Sequence, residues 1–162
     1  MDFEKFYDKA LRFLSYRPRS EKEVKENLQK KSFGRRSGPS ESTIELIIKK
    51  LREQKFLNDR EFTRWWIEQR TLVKPTGRRL IKFELKRKGI DKELIDEIFD
   101  ELENIVQDEL EMARKLVQRK INKYKGLDRQ KIYQRLGGFL SRRGFDYDTI
   151  KKSIDEFISK EN

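Results

Sequence analysis

The sequence predicts an all-α chain of three tandem three-helix repeats stacked into an elongated array. Apolar residues recur at helical spacing almost throughout, no stretch sustains the period-2 alternation of a strand, and one motif returns three times. Of the 162 residues, 35% are hydrophobic and 43% charged. That is too few interior side chains for one thick globule, and it suits helices that each hide one stripe.

The first stripe comprises Phe3, Phe6, Ala10, Leu11 and Leu14; Val24 with Leu28, and then Ile44, Ile47, Ile48 and Leu51, make the next two. Helix starts are marked by capping patterns: Ser20 with Glu23, Ser42 with Glu45, and Asn58 with Glu61. Asp91 and Asp128 stand where N-caps belong. Gly89 and Gly144 follow basic runs and suit the left-handed position that ends a helix. Pro18 and Pro75 precede helix starts, where a missing N–H does little harm.

The returning motif reads Leu28-Gln29-Lys30-Lys31-Ser32-Phe33, then Leu85-Lys86-Arg87-Lys88-Gly89-Ile90, then Leu140-Ser141-Arg142-Arg143-Gly144-Phe145. Four residues before each leading leucine stands Val24, Ile81 or Leu136. An amphipathic helix follows each motif, on Ile44, Ile48 and Leu51, on Ile95, Phe99 and Leu102, and on Ile150, Ile154 and Phe157. Another opens each unit, with Ala10, Leu11 and Leu14 in the first. Phe62, Trp65, Trp66 and Ile67 open the second, and Leu110, Ala113, Leu116 and Val117 the third. The repeats therefore span 2–57, 58–105 and 106–160. The first carries an extra Gly/Ser/Pro stretch from Gly34 to Ser40, read as a loop bearing Arg35 and Arg36. A unit of this size is marginal alone, so the units are expected to fold together. Both tryptophans are read as packing residues.

The net charge of +11 calls for an anionic partner, either a polyanion or an acidic protein surface. It is divided unevenly, as +6, zero and +5 across the three units. Within the middle unit the second helix carries Arg78, Arg79, Lys82, Lys86, Arg87 and Lys88, while the third is acidic from Asp91 through Glu103. Residues 78, 82 and 86 share i, i+4 spacing opposite Ile81 and Leu85, which predicts an outward basic ridge.

Histidine and cysteine are both absent. That removes the commonest general base and metal ligand, excludes disulfide and thiolate chemistry, and is compatible with a reducing cytoplasm. No run approaches the ~18 apolar residues of a membrane span. The first ten residues, MDFEKFYDKA, lack the apolar core of a secretory signal. No phosphate-cradling glycine loop or metal-ligand cluster is found. Gly137-Gly138 is read as permitting close helix packing, and Asp96 with Asp100, or Asp155 with Glu156, as solvated faces. The expectation is a binding protein, not an enzyme, with no cofactor.

These residues also resemble a known family. Ala10-Leu11, Leu14-Ser15, Arg17, Arg19-Ser20-Glu21, Glu23-Val24, Leu28 and Lys30-Lys31 look like the start of the RecX family. Ile47-Ile48, Leu51, Phe56-Leu57-Asn58-Asp59, Phe62, Trp65 or Trp66, Arg70, Gly77, Ile81, Glu84-Leu85 and Lys88-Gly89-Ile90 continue the likeness. Leu136, Phe139-Leu140, Arg142-Arg143-Gly144-Phe145, Asp148 and Ile150 resemble the family's C-terminal signature. Ser32-Phe33 and Thr63 depart from the usual pattern, and the Gly34 to Ser40 loop is longer than usual.

The resemblance implies a curved, elongated cytoplasmic protein, expected as a monomer. Such a protein binds along the groove of the RecA–DNA filament and inhibits or modulates its ATPase, strand exchange and co-protease functions, placing it in DNA repair, recombination and the SOS response. The alternative reading is non-sequence-specific binding to single- or double-stranded DNA through basic helix faces. The candidate contact residues are Arg78, Arg79, Lys82 and Lys86 first, then Arg142 and Arg143, then Lys30 and Lys31, with Arg17 and Arg19 behind them.

Overall fold

In the computed structural model, residues 2–30, 38–104 and 108–161 are described, and no strand occurs among them. The helices are α1 (Asp2–Tyr16), α2 (Glu21–Gln29), α3 (Glu41–Glu53), α4 (Asp59–Leu72), α5 (Arg78–Arg87), α6 (Lys92–Glu101), α7 (Glu109–Lys120), α8 (Arg129–Arg142) and α9 (Tyr147–Glu161). A 3₁₀ turn, Ile121–Tyr124, separates α7 from α8. The chain is thus all-α, as the periodicity predicts. By contacts the residues gather into two compact units. One is Met1–Trp65 with Leu85–Ile95, the other Trp66–Glu84 with Asp96–Asn162, so α4, α5 and α6 each contribute to both.

In the first unit, one core joins Ala10 of α1, Val24 and Leu28 of α2, and Ile44, Ile47, Ile48 and Leu51 of α3, with Phe3, Leu11 and Leu14 packed at its edge. Each enclosed leucine or isoleucine contributes roughly 1.5–3 kcal/mol. The polar rim is tied as well: Arg52 of α3 pairs with Glu21 of α2, Nη2 donating to Oε2 at 2.6 Å. In the second unit, Ala113, Leu116 and Val117 of α7 meet Leu136 and Leu140 of α8 and Ile154 of α9. Arg114 clamps α7 to α9 through both nitrogens of its fork, with Glu156 accepting at 2.7 and 2.9 Å. In the middle helices, Ile81, Leu85, Ile95, Phe99 and Leu102 are buried at the expected positions. Trp66 is buried and its indole N–H donates to Glu84 at 2.8 Å; Trp65 is half-buried, with Arg17 lying 6.0 Å from its ring centroid.

Ser20 and Glu23 form the expected reciprocal capping box on α2. Asn58 Oδ1 accepts from the N–H groups of Arg60 and Glu61, and Asp128 caps α8 by accepting from Lys131 N. The Ser42–Glu45 expectation is corrected. The cap of α3 is Ser40, which accepts from Thr43 N. Ser40 is extended (φ −65, ψ 158), as an N-cap must be, and Ser42 already lies in the first helical turn.

Three helices end in the same hydrogen-bonded turn. In α5, Ile90 N bonds Leu85 O and Gly89 N bonds Lys86 O. In α8, Phe145 N bonds Leu140 O and Gly144 N bonds Ser141 O. In α3, Phe56 N bonds Leu51 O and Lys55 N bonds Arg52 O. This is the Schellman pattern, whose C′ residue is left-handed. Gly89 (φ 82) and Gly144 (φ 89) meet that demand freely, whereas Lys55 (φ 63) does so with a side chain.

The first two of those turns also make junctions. Within the first unit, Lys22 Nζ at the start of α2 donates to Arg87 O at the end of α5, and a Cβ on Gly89 would lie 2.8 Å from Lys22 Cβ. Within the second unit, Gly77 N at the start of α5 donates to Arg143 O at the end of α8 at 2.7 Å. Arg143 Nη1 returns a bond to Pro75 O at 3.1 Å. The sequence reads Gly137-Gly138 as permitting close helix packing. There, however, a Cβ on Gly137 would make only ordinary contact, 3.7 Å from Ile150, so the tight approach belongs to Gly77.

Candidate binding surface

The solvent face of α5 follows from its buried face. Ile81 and Leu85 are enclosed, which turns Arg78, Arg79, Lys86 and Arg87 outwards. Lys82 is half-buried: its ammonium pairs with Asp96 of α6 at 3.2 Å and lies 5.5 Å from the Phe99 ring. Arg78 leans the same way, its guanidinium 5.7 Å from Phe99. The 78/82/86 row is therefore one flank of the solvent face, and its first two members are partly engaged with α6. Phe83 lies on the exposed face, 55% exposed, one turn after Arg79. Phe83 is not among the contacts the sequence predicts, although its place off the Ile81/Leu85 stripe is the signal that marks it.

Arg17 and Arg19 serve the fold around α2. Arg17 pairs with Glu23 and donates to Pro18 O at 2.7 Å. Arg19 donates to Phe13 O at 3.2 Å, covers the Phe13 ring at 3.9 Å and stands 3.9 Å from Glu23. Lys88 reaches the same carboxylate at 3.4 Å. Burial pushes the Glu23 carboxyl up, but the Arg17 hydrogen bond, the Ser20 N–H and the Lys88 charge outweigh it and leave it below its usual value. Burial, aided by Arg17, lowers Arg19 from its ordinary value.

Arg143 is half-buried in the junction with Pro75, its guanidinium 5.4 Å from the Phe139 ring, while Arg142 is exposed. Lys30, the C-cap of α2, is exposed. Lys31 lies outside the described residues, as do Arg35, Arg36 and the first part of the predicted loop.

A cleft of about 930 Å³ opens between α8 and α9 in the second unit. Tyr133, Ile150 and Tyr147 line it, with Arg79, Arg129 and Lys151 as its cations and Asp146 and Asp155 as its acids. Asp146 caps α9, accepting from Thr149 N at 2.8 Å, and that bond holds its carboxyl below the usual range. Among the described residues there is no cluster of side chains fit to hold a metal, and no helix is long and apolar enough to cross a membrane.

Comparison with known proteins gives a consistent result along the chain. Residues 7–51 match the model of the first three-helix domain of RecX, 58–98 the second and 107–154 the third. A regulatory protein RecX of Bacillus licheniformis is 36% identical over 96% of this chain, which spans 56% of that relative's length. One from Clostridium perfringens is 33% identical over 99% of this chain and 72% of its own. The crystal structure of RecX from Lactobacillus salivarius superposes with a TM-score of 0.71 at 27% identity, covering 96% of both chains.

Proposed function

The chain belongs to the RecX family, and from that premise we propose that it regulates the RecA recombinase by binding in the groove of the RecA–DNA filament. Its relatives are named regulatory proteins. The observation that carries the reading is the solvent side of α5, where Arg78, Arg79 and Lys86 are exposed on a helix whose other side is enclosed. Cations held on a rigid helix steer association and fix register on an acidic or phosphate-bearing target. A filament repeats its binding surface. A chain that touches more than one protomer then adds weak contacts through effective concentration. Occupying the groove opposes protomer movement and so slows ATP turnover and strand exchange. RecA ATPase on single-stranded DNA, measured with sub-stoichiometric amounts of this protein, tests the reading. A falling rate is expected, and an unchanged rate at every ratio rejects it.

A second reading is supported by Phe83 beside Arg79. A basic helix face carrying an exposed aromatic suits direct, sequence-tolerant binding to DNA. Affinity should then fall steeply with salt. Absence of binding at low salt rejects this reading, and inhibition retained without DNA binding leaves the first.

A further inference from the structure

We propose that the cleft between α8 and α9 is a subsite for the unstacked bases of a single-stranded nucleic acid. The proposal rests on reading this chain as a polyanion binder, and it concerns a cleft that shares only Arg79 with the α5 face named above.

Three features of the cleft select that ligand. The first is its room. Its volume, about 930 Å³, is at the upper end of the roughly 300–1,000 Å³ typical of ligand sites. The room comes from α8, which presents Gly137 and Gly138 to the cleft instead of side chains. A Cβ on Gly138 would meet nothing but the Arg142 guanidinium, at 3.3 Å.

The second is the pairing of rings with cations. Tyr133 lines the wall and Tyr147, the first residue of α9, is 74% exposed at the rim. An exposed ring gains little from its own fold, but any base can stack on it. Arg79 and Lys151 line the same cleft and are exposed, so they can meet the phosphates that flank a stacked base.

The third feature separates a base from a bare anion. Asp146 and Asp155 line the cleft beside its cations, Asp155 standing 3.7 Å from Arg129. Acids on the wall repel a bare phosphate, whereas the ring face of a base carries no net charge. A duplex keeps its ring faces in the stack; a single strand can offer them.

The test is fluorescence anisotropy of the full chain with a labelled oligo(dC) and with a duplex of equal length, for the unaltered protein, Tyr147→Ala and Tyr147→Phe. Tyr147→Ala is expected to weaken single-strand binding roughly tenfold, leave duplex binding unchanged and keep its helicity, while Tyr147→Phe binds as the unaltered protein does. Unaltered single-strand affinity in Tyr147→Ala overturns the subsite alone, as does an equal loss on both nucleic acids. If Tyr147→Ala instead loses its effect on the recombinase filament at full single-strand affinity, the cleft takes a protein, and the proposal also falls. Failure of the unaltered protein to bind either nucleic acid overturns the subsite and the polyanion reading together.

Discussion

The N–H of Gly77 donates to the carbonyl oxygen of Arg143 across 2.7 Å, which ties the start of α5 to the end of α8 by backbone alone. Gly144, next to Arg143, takes the left-handed conformation that exposes that carbonyl, and Arg143 fixes the other side by donating to Pro75 O. The first unit has a counterpart in Lys22 and Arg87, which join the start of α2 to the end of α5. In both, a C-terminal turn offers free carbonyls to the N-terminal end of another second helix. At Gly77 a free backbone N–H meets a free C=O, and at Lys22 the side-chain ammonium takes the place of that N–H.

Gly77→Ala is expected to be strongly destabilising. A Cβ there would overlap the backbone of Gly144 and stand 2.8 Å from Phe145 N, and backbone cannot rotate aside as a side chain can. Overpacking of this kind costs roughly 1–3 kcal/mol, and each kcal/mol lowers the melting midpoint of a chain this size by about 2–4 °C. Thermal unfolding by circular dichroism measures it. Gly137→Ala, whose Cβ has ordinary room beside Ile150 inside α8, is the control and should melt at or slightly above the unaltered protein.

Lys55→Gly should act in the opposite direction. Lys55 closes α3 at φ 63 in the same turn that glycine closes in α5 and α8. An L-residue there costs roughly 1 kcal/mol that glycine avoids, offset in part by glycine's greater freedom when unfolded. Lys55 is exposed, so little packing is lost. A gain of about 0.5 kcal/mol in denaturant unfolding is expected; a loss would show that the lysine side chain holds something there.

Much of this fold is legible in the sequence because its signals are local. The stripes of Val24 and Leu28, or Ile81 and Leu85, name a helix and its buried side together, and Gly89 and Gly144 name two helix ends. The Gly77 approach is not legible, since its partner lies 67 residues away and glycine has other uses. The candidate cations divide for a related reason. Composition cannot distinguish an exposed Lys86 from a Lys82 paired with Asp96, nor either from an Arg19 laid over Phe13. The α3 cap falls on Ser40 and not on Ser42 because two serines compete for one cap and only backbone geometry decides between them.

Acid should weaken the α2 region through Glu23. Its folded carboxyl lies below the ordinary value of about 4.3, because its Arg17, Ser20 and Lys88 partners prevail over burial. The unfolded chain therefore takes up this proton more readily. Glu23's contribution is complete above that ordinary value and is lost as pH falls through the lower folded one. Glu23→Gln should cost about 2 kcal/mol at neutral pH, and the difference should close as the pH drops below about 4. Asp59 has the opposite sign. Burial raises its carboxyl despite the bond from Glu21 N, so acidification relieves its cost. Paired unfolding curves at neutral and acid pH check both.

The division among the candidate arginines and lysines gives the sharpest test of where binding occurs. Arg79 and Lys86 are exposed on α5, so Arg79→Glu and Lys86→Glu should leave the melting midpoint unchanged. If the α5 face meets the filament, each should raise the amount of protein needed for half-inhibition of RecA ATPase by roughly fivefold, about 1 kcal/mol per reversed contact. Arg17→Ala should behave otherwise. It removes a partner of Glu23 whose carboxylate is only 12% exposed, so stability falls while inhibition by the folded fraction persists. Lys82→Glu combines both effects, because it places a second acid beside Asp96 and also removes a cation. Comparing melting and half-inhibition across these four variants separates contact from scaffold. Unaltered inhibition by stable Arg79→Glu and Lys86→Glu proteins would move the contact surface off α5.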